Sequence, residues 1–454
     1  MILLYLILIF LYFYLFIYSI KTRTHLLIII FSIAFLQGVL TLIGIKQLHY
    51  QFVLEFAILL FFINSLYYKK KINRKYEIPG IAYFIIYLLC VYFSYRLNNS
   101  ELYTSVLFSR NILVYYLFFL GIINCNYNEM KIIKINKLII IFFLLQIPAS
   151  IVKYFLIGQK ELYIGTISIN AGTLSTIVPL FCIGFITSYY LNKNKNIYIF
   201  ICLLAGFVFM SFVGAKRAFF LLLPFIIGMT YLFSSRKKMI LSGILSLKLI
   251  LFTGIIGFLV IYAGSMIIPS FNPEDKIGGS FDPEYMINFT TRYLNKYGYG
   301  GGVATGRLSS TGESFYNVLE NRPLFGYGPD ALYGSATSYI GKGMKYNIAG
   351  GRTGFTFHVI SVGFLGTLAL ISFYIYLTSK FFKIKINSLS LYYRTLFIGA
   401  KVATALFFID FFTYSRVSMY NYIPGLIIFY LWGIYHKKFS RNSISKVNMF
   451  ANNR

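Results

Sequence analysis

Charge is scarce in this chain, and acid scarcer still. Of 454 residues only 12% are charged, with 13 Asp+Glu against 42 Lys+Arg. A soluble domain carries about a quarter charged residues, so a water-soluble globule is excluded as the frame. Period-2 alternation is missing from the apolar runs, which are about 20 residues long. In lipid the backbone must satisfy itself as helices or as a closed barrel, and runs of this length without alternation are helices. Cysteine is also sparse. Cys90, Cys125, Cys182 and Cys202 lie in or beside apolar spans, with neither a disulfide framework nor zinc spacing. The opening MILLYLILIFLYFYLFIYSI has no basic n-region and no small-residue cleavage site, and is read as a retained span. No internal repeat and no matching pair of Gly/Pro-broken helices is visible, which argues against an inverted-repeat transporter.

What is present is 58% hydrophobic residues and a formal net charge of +29. In a soluble protein that charge would suggest nucleic acid. Here most Lys and Arg sit in short loops, where they act as topology signals, so no nucleic-acid partner is expected. The expected fold is an all-α polytopic membrane protein. Spans fall at about 2–20, 25–45, 51–68, 80–95, 106–124, 138–157, 173–191, 197–214, 217–234, 247–266, 356–379, 394–412 and 418–435. Short loops after odd-numbered spans hold nineteen basic residues, against seven after even-numbered ones. The positive-inside rule puts the odd loops and the basic tail 436–454 in the cytoplasm.

The exception to all this is the segment 267–355. With its immediate flank it carries 8 of the Lys+Arg and 7 of the Asp+Glu. It divides the chain into an N-terminal bundle, 1–266, and three C-terminal spans, 356–435, and it is expected to face outward. A loop of that length in a compact protein is usually functional or disordered, and its Tyr, Phe and Gly content suggests that it folds. Within it, Phe315, Val318 and Leu319 share one helical face. Pro323 stops that helix, and Gly326 and Gly328 make a turn. The helix would lie along the membrane surface as a lid. Gly298–Gly302 and Gly350–Gly351 are candidate hinges.

Basic residues expected at the outer face are Arg110, Lys216, Arg217, Arg307 and Arg352. The plain reading of each is a side chain snorkelling to headgroups. The functional reading is a diphosphate site, because a planar guanidinium binds phosphate oxygens in pairs. Acidic candidates for a general base include Glu274, Asp275, Asp282, Glu284, Glu313, Glu320 and Asp330, although several sit in turn-forming sequence. Lys401 and Asp410 are nine residues apart in one span, so partners on other helices are expected for them, and Glu55 is similar. No metal-binding cluster is evident in the outer segment.

Three stretches resemble the O-antigen polymerase and ligase superfamily. They are GAKRAFFLLLP, ATGRLSSTGESFYNVLENRPLFGYGPDAL and HVISVGFLGTLAL. The resemblance covers about 60 residues in the family's order. It implies a GT-C-like glycosyltransferase with about 12–13 transmembrane helices, needing neither metal nor other cofactor. Its donor would be an undecaprenyl-diphosphate-linked oligosaccharide. Arg217, Arg307, Arg352 and His358 would be catalytic, and Arg110, Lys216, Glu313, Tyr327, Asp330 and Arg416 would bind substrate. Membrane lipid and a chain-length regulator would be partners, in the cytoplasmic membrane of a bacterium. One departure concerns histidine. The ligase branch has a His about eleven residues before the Gly-x-x-Gly pair; here Arg352 holds that place, and His358 stands five before Gly363. This fits a polymerase better than a ligase. The alternatives are a ligase, or a flippase or exporter of lipid-linked oligosaccharide.

Overall fold

The computed structural model describes residues 23–71, 75–125, 127–157, 164–167, 174–192, 196–214, 217–234, 251, 297–299, 302–304, 307–331, 353–382, 389–414 and 421–451. In chain order the helices are α1 (Arg23–Phe35), α2 (Gln37–Leu42), α3 (Gln47–Lys71), α4 (Ile81–Leu97), α5 (Leu102–Asn124), α6 (Glu129–Ile157), α7 (Leu174–Asn192), α8 (Ile197–Val213) and α9 (Arg217–Ser234). After a two-stranded hairpin, β1 (Tyr297–Tyr299) and β2 (Gly302–Ala304), come α10 (Arg307–Asn321), α11 (Gly354–Phe382), α12 (Leu391–Ile409) and α13 (Tyr422–Ala451). Gly298 pairs with Val303 in that hairpin, so the suggested hinge at 298–302 includes paired strand; 350–351 lies outside the described residues.

Among the described residues, six helices are long and apolar enough to cross a membrane: α3, α5, α6, α7, α11 and α12 with its extension. Shorter apolar helices occupy Thr24–Phe35, Ile81–Leu97, Ile197–Val213 and Leu222–Ser234. The protein is therefore built as an all-α, multi-pass membrane chain. The expected spans 2–20 and 247–266 lie outside the described residues, apart from Leu251, which is helical. Pro148, Pro179 and Pro224 stand inside helices, which packed neighbours permit at membrane depth.

One expected span is two helices. Between α1 and α2 the chain breaks at Leu36, and the freed groups are taken by residues 164–167: Thr166 Oγ1 donates to Phe35 O at 2.8 Å, and Gly38 N donates to Thr166 O at 2.9 Å. That short segment is itself held by α6, where Gln146 Oε1 accepts from Thr166 N at 2.8 Å and Ser150 Oγ from Gly165 N at 3.0 Å. Non-helical backbone in a membrane bundle needs such internal partners, because lipid offers none.

The bundle centres on α13, in which every residue from Tyr422 to Tyr435 is buried. A helix apolar on all faces belongs in a core. Its few polar groups are matched: Tyr430 OH donates to Asn136 Oδ1 at 2.8 Å and Trp432 Nε1 to Thr404 Oγ1 at 3.0 Å. Glycines let neighbours close in, since a Cβ on Gly425 would stand 2.4 Å from the Tyr115 ring. Cations meet helix C-termini at one end of the bundle. Lys437 Nζ donates to Cys125 O, just past α5, and Lys401 Nζ donates to Phe382 O at the end of α11 at 3.2 Å. A positive charge there meets the negative end of the helix dipole.

Candidate functional site

Two of the three stretches that carried the resemblance come together in space. α10 forms as its pattern implies, with Val318 fully buried and Phe315 set edge-on against Phe364 at 4.8 Å. It stops at Asn321, ahead of Pro323, and the chain turns through Gly326 (φ 64°) and Gly328 (φ 106°). Both glycines hold the left-handed conformation, which costs glycine least.

That turn fits a break in α11. Gly363 has φ 67° and ψ −171°, a region open essentially to glycine alone, and the helical bonds around it are interrupted. The turn replaces them. Tyr327 N donates to Ile360 O at 2.8 Å and Gly328 N to Ser361 O at 3.1 Å. In return Phe364 N donates to Pro323 O at 2.9 Å and Leu365 N to Leu324 O at 3.3 Å. The four bonds let the two backbones touch. A Cβ on Gly326 would lie 2.4 Å from Ile360 O, and one on Gly363 would lie 2.4 Å from Leu324 O.

The end of α4 completes the site. Ser94 Oγ donates to Ser361 O at 2.7 Å, and Asn98 Nδ2 donates to Gly326 O at 3.1 Å. Arg322 donates to Asn98 Oδ1, and its guanidinium lies 5.5 Å from the centre of the Tyr327 ring. Asp330 Oδ1 accepts from Ser100 Oγ at 2.5 Å. Beside this network is a hollow of about 230 Å³, lined by Leu97, Asn98 and residues 322–326. The Asn98 amide at its rim is spent on Ser94 O, Gly326 O and Arg322, which leaves the Arg322 guanidinium as the group there that suits an anion.

Of the residues singled out in the sequence, Tyr327 and Asp330 belong to this network. Tyr327 is buried, and its hydroxyl donates to Asn317 O at 3.2 Å, so it fastens α10 to the turn. His358 sits in α11 one turn before the break, fully buried, with Nδ1 2.8 Å from Gly354 O. That carbonyl can only accept, so Nδ1 carries the proton. Around the imidazole stand the rings of Phe108 (5.2 Å), Phe411 (6.0 Å) and Tyr87 (6.2 Å). On α10, Tyr316 OH donates to Glu320 Oε1 at 2.8 Å, and that carboxylate holds the phenol above its ordinary pKa.

Arg110 is elsewhere, in an ion pair across three helices. Its Nε and Nη2 both approach Glu55 Oε1 at 2.7 Å. Tyr422 OH also donates to Glu55, and Arg110 Nη2 lies 3.4 Å from Tyr422 OH. The expectation that Glu55 finds its partner on another helix holds; the reading of Arg110 as a phosphate ligand must contend with a carboxylate already on it. Lys401 likewise goes to another element, through Phe382 O and the Phe233 ring at 5.9 Å.

Arg217 opens α9, Arg307 opens α10 and Glu313 lies midway along α10. Lys216, Arg352 and Arg416 fall outside the described residues. Among the described residues no three His, Cys, Asp or Glu side chains converge as a metal site would require. Sequence reasoning passed over Arg322, Asn98, Ser94, Ser100 and Ser361. The Arg-Pro step that ends α10 was a usable signal for the first; the others gave none, being ordinary polar residues near helix ends.

The fold defines a multi-pass α-helical membrane protein with a turn docked into a broken span. Comparison with family models, curated proteins and solved structures finds no match to this chain.

Proposed function

We propose that this chain is a polymerase of bacterial surface polysaccharide, of the O-antigen polymerase type. It works at the outer face of the cytoplasmic membrane with about 12–13 transmembrane helices in a GT-C-like arrangement, and with 267–355 as its outward segment. The observation that carries the reading is the docking of the Arg-Pro-Leu-Phe-Gly-Tyr-Gly turn into the Gly363 break. Two stretches that resemble the superfamily by sequence are thereby one structural unit.

In the proposed reaction a hydroxyl of a lipid-linked repeat unit attacks the anomeric carbon of the donor glycan. The new glycosidic C–O bond forms as the bond to the undecaprenyl diphosphate breaks, and the hydroxyl proton leaves to a base. The developing negative charge on the diphosphate is what needs stabilising, and preorganised donors aimed at it lower the barrier. Arg217, Arg307 and Arg352 are assigned that task, with Arg322 beside the 230 Å³ hollow as a further cation on the same segment. Cations in this role substitute for a metal, and a chain-length regulator is the partner expected beside the enzyme.

A deletion strain should accumulate single repeat units on its surface glycan. Lipid-linked polymer that never reaches its acceptor would instead mean a ligase. In the purified enzyme, Arg217→Ala and Arg307→Ala should each lower elongation by about 10²–10³. Arg217→Lys should restore only part, since an ammonium lacks the bidentate fork. Excess EDTA should leave the wild type active; loss of activity restored by Mg²⁺ would overturn the arginine mechanism.

A further inference from the structure

α10 uses only part of its apolar arc against the bundle. Val318 is fully buried and Phe315 rests on Phe364. One turn beyond Phe315, Leu319 is 53% exposed, and Leu324 in the following turn is 55% exposed. Glu320 and Asn321 occupy the opposite, polar side, also exposed. Tyr316 marks the border, its hydroxyl reaching to Glu320.

The uncovered apolar side continues an exposed apolar surface on a candidate membrane span. Leu324 O accepts from Leu365 N at 3.3 Å, which sets Leu324 against the outside of a membrane-spanning candidate. On that helix Leu365 and Leu368, one turn apart, are exposed. On the neighbouring α4, Phe93 is exposed and its ring lies 5.7 Å from Phe325. Leu324, Leu365, Leu368 and Phe93 all remain exposed.

Depth can be read along α11. A helix crosses the hydrocarbon in about 20 residues. At the far end, His436 Nε2 meets Leu377 O at 3.0 Å beside the Lys437–Cys125 contact just past α5, and this level is taken as the other interface. Counting about 20 residues back from Leu377 reaches 357. The turn bonds to residues 360, 361, 364 and 365, so it lies at the boundary between hydrocarbon and headgroups. α10, fastened to it, lies there too. A backbone turn at that depth is tolerated because its donors and acceptors are satisfied within the protein.

We propose that segment 307–331 is an interfacial element whose uncovered apolar side, Leu319 and Leu324 with Tyr316 at its edge, is inserted into the bilayer. The occupant of that face is the headgroup–acyl boundary of the membrane itself. This holds whichever compartment the segment faces and whatever reaction the protein performs. A helix in this position needs a large apolar moment and a polar upper face, which α10 has.

The test is nitroxide accessibility in the full chain in phospholipid nanodiscs, with Cys202→Ser as background because Cys202 is the exposed native cysteine. Labels are placed singly through Leu319→Cys, Leu324→Cys, Asn317→Cys and Asn321→Cys. Labels at 319 and 324 should favour oxygen over a nickel chelate and read about 5–10 Å below the phosphates; labels at 317 and 321 should favour nickel. Equal nickel access at 319 and 321 would place the helix in water and overturn the proposal. Spin–spin broadening at 319, with cross-linking into dimers, would name a second copy as the occupant and overturn it equally. Should cysteine at 319 perturb folding, Tyr316→Trp supplies an independent reading: its fluorescence should be quenched by lipids carrying a shallow nitroxide, and absence of quenching refutes insertion.

Discussion

Replacing Gly363 by Ala attacks the docking of the turn at its tightest point. The residue holds φ 67°, ψ −171°, and an added Cβ would lie 2.4 Å from Leu324 O and 2.6 Å from Gly326 N. Both obstacles are backbone, so no side chain can swing aside. The conformation alone costs about 1–3 kcal/mol for a residue with a Cβ. Relief requires the turn to move away, which breaks some or all of the four cross-bonds to Ile360, Ser361, Phe364 and Leu365. Each is worth about 0.5–1.5 kcal/mol net. A local loss of about 3 kcal/mol or more is expected, while the bundle around α13 stays folded. Hydrogen exchange of the Tyr327 and Gly328 amides, measured in nanodiscs, should then accelerate about 100-fold or more, at roughly tenfold per 1.4 kcal/mol. Amides of α13 should be unchanged. The control is Gly312→Ala in α10, where an added Cβ meets nothing within 4 Å; it should stabilise that helix by about 1 kcal/mol. If Gly363→Ala leaves protection of Tyr327 and Gly328 at the wild-type level, the turn is not held by the helix break and the reasoning fails.

Two further outcomes are expected, the first from the fold and the second from the distribution of basic residues in the loops. Glu55→Gln should lower the thermal midpoint in detergent, because it leaves Arg110 half-buried without its carboxylate; breaking a buried pair costs about 3–5 kcal/mol, and the partial exposure here reduces that. Adding Arg110→Met should recover part of the loss, and strictly additive effects in the double-variant cycle would deny the pair. A membrane-impermeant thiol reagent should label Ser335→Cys and not Asn73→Cys on intact cells, or on spheroplasts where an outer membrane intervenes; equal labelling would refute the proposed orientation.

Much of the architecture was local and therefore legible. The spans expected at 173–191, 197–214 and 217–234 appear as α7, α8 and α9 within a residue at each end, because hydropathy over about 20 residues decides them. The helix 307–321, its stop ahead of Pro323 and the turn at Gly326 and Gly328 were equally readable, since proline and glycine act on their own backbone. Not legible was the division of 25–45 into α1 and α2. It depends on Thr166, which follows Phe35 by 131 residues.

Residue order alone is enough to read the class of protein, its helical frame and the segment that stands apart from it. Composition and periodicity are properties of a stretch, and lipid leaves a stretch of that composition one solution. Where the polar residues spend their hydrogen bonds is settled by packing between distant helices. Gly363 stands out in the sequence as the first of the Gly-x-x-Gly pair, but that it breaks the helix is decided by the turn 323–328, which replaces its lost helical bonds. Ser94 and Ser361 are partners across 267 positions, and Arg110 is matched to Glu55 on another helix. A buried donor or acceptor must be paired wherever the pair can be found, and in a folded bundle the nearest partner in space is seldom the nearest in sequence.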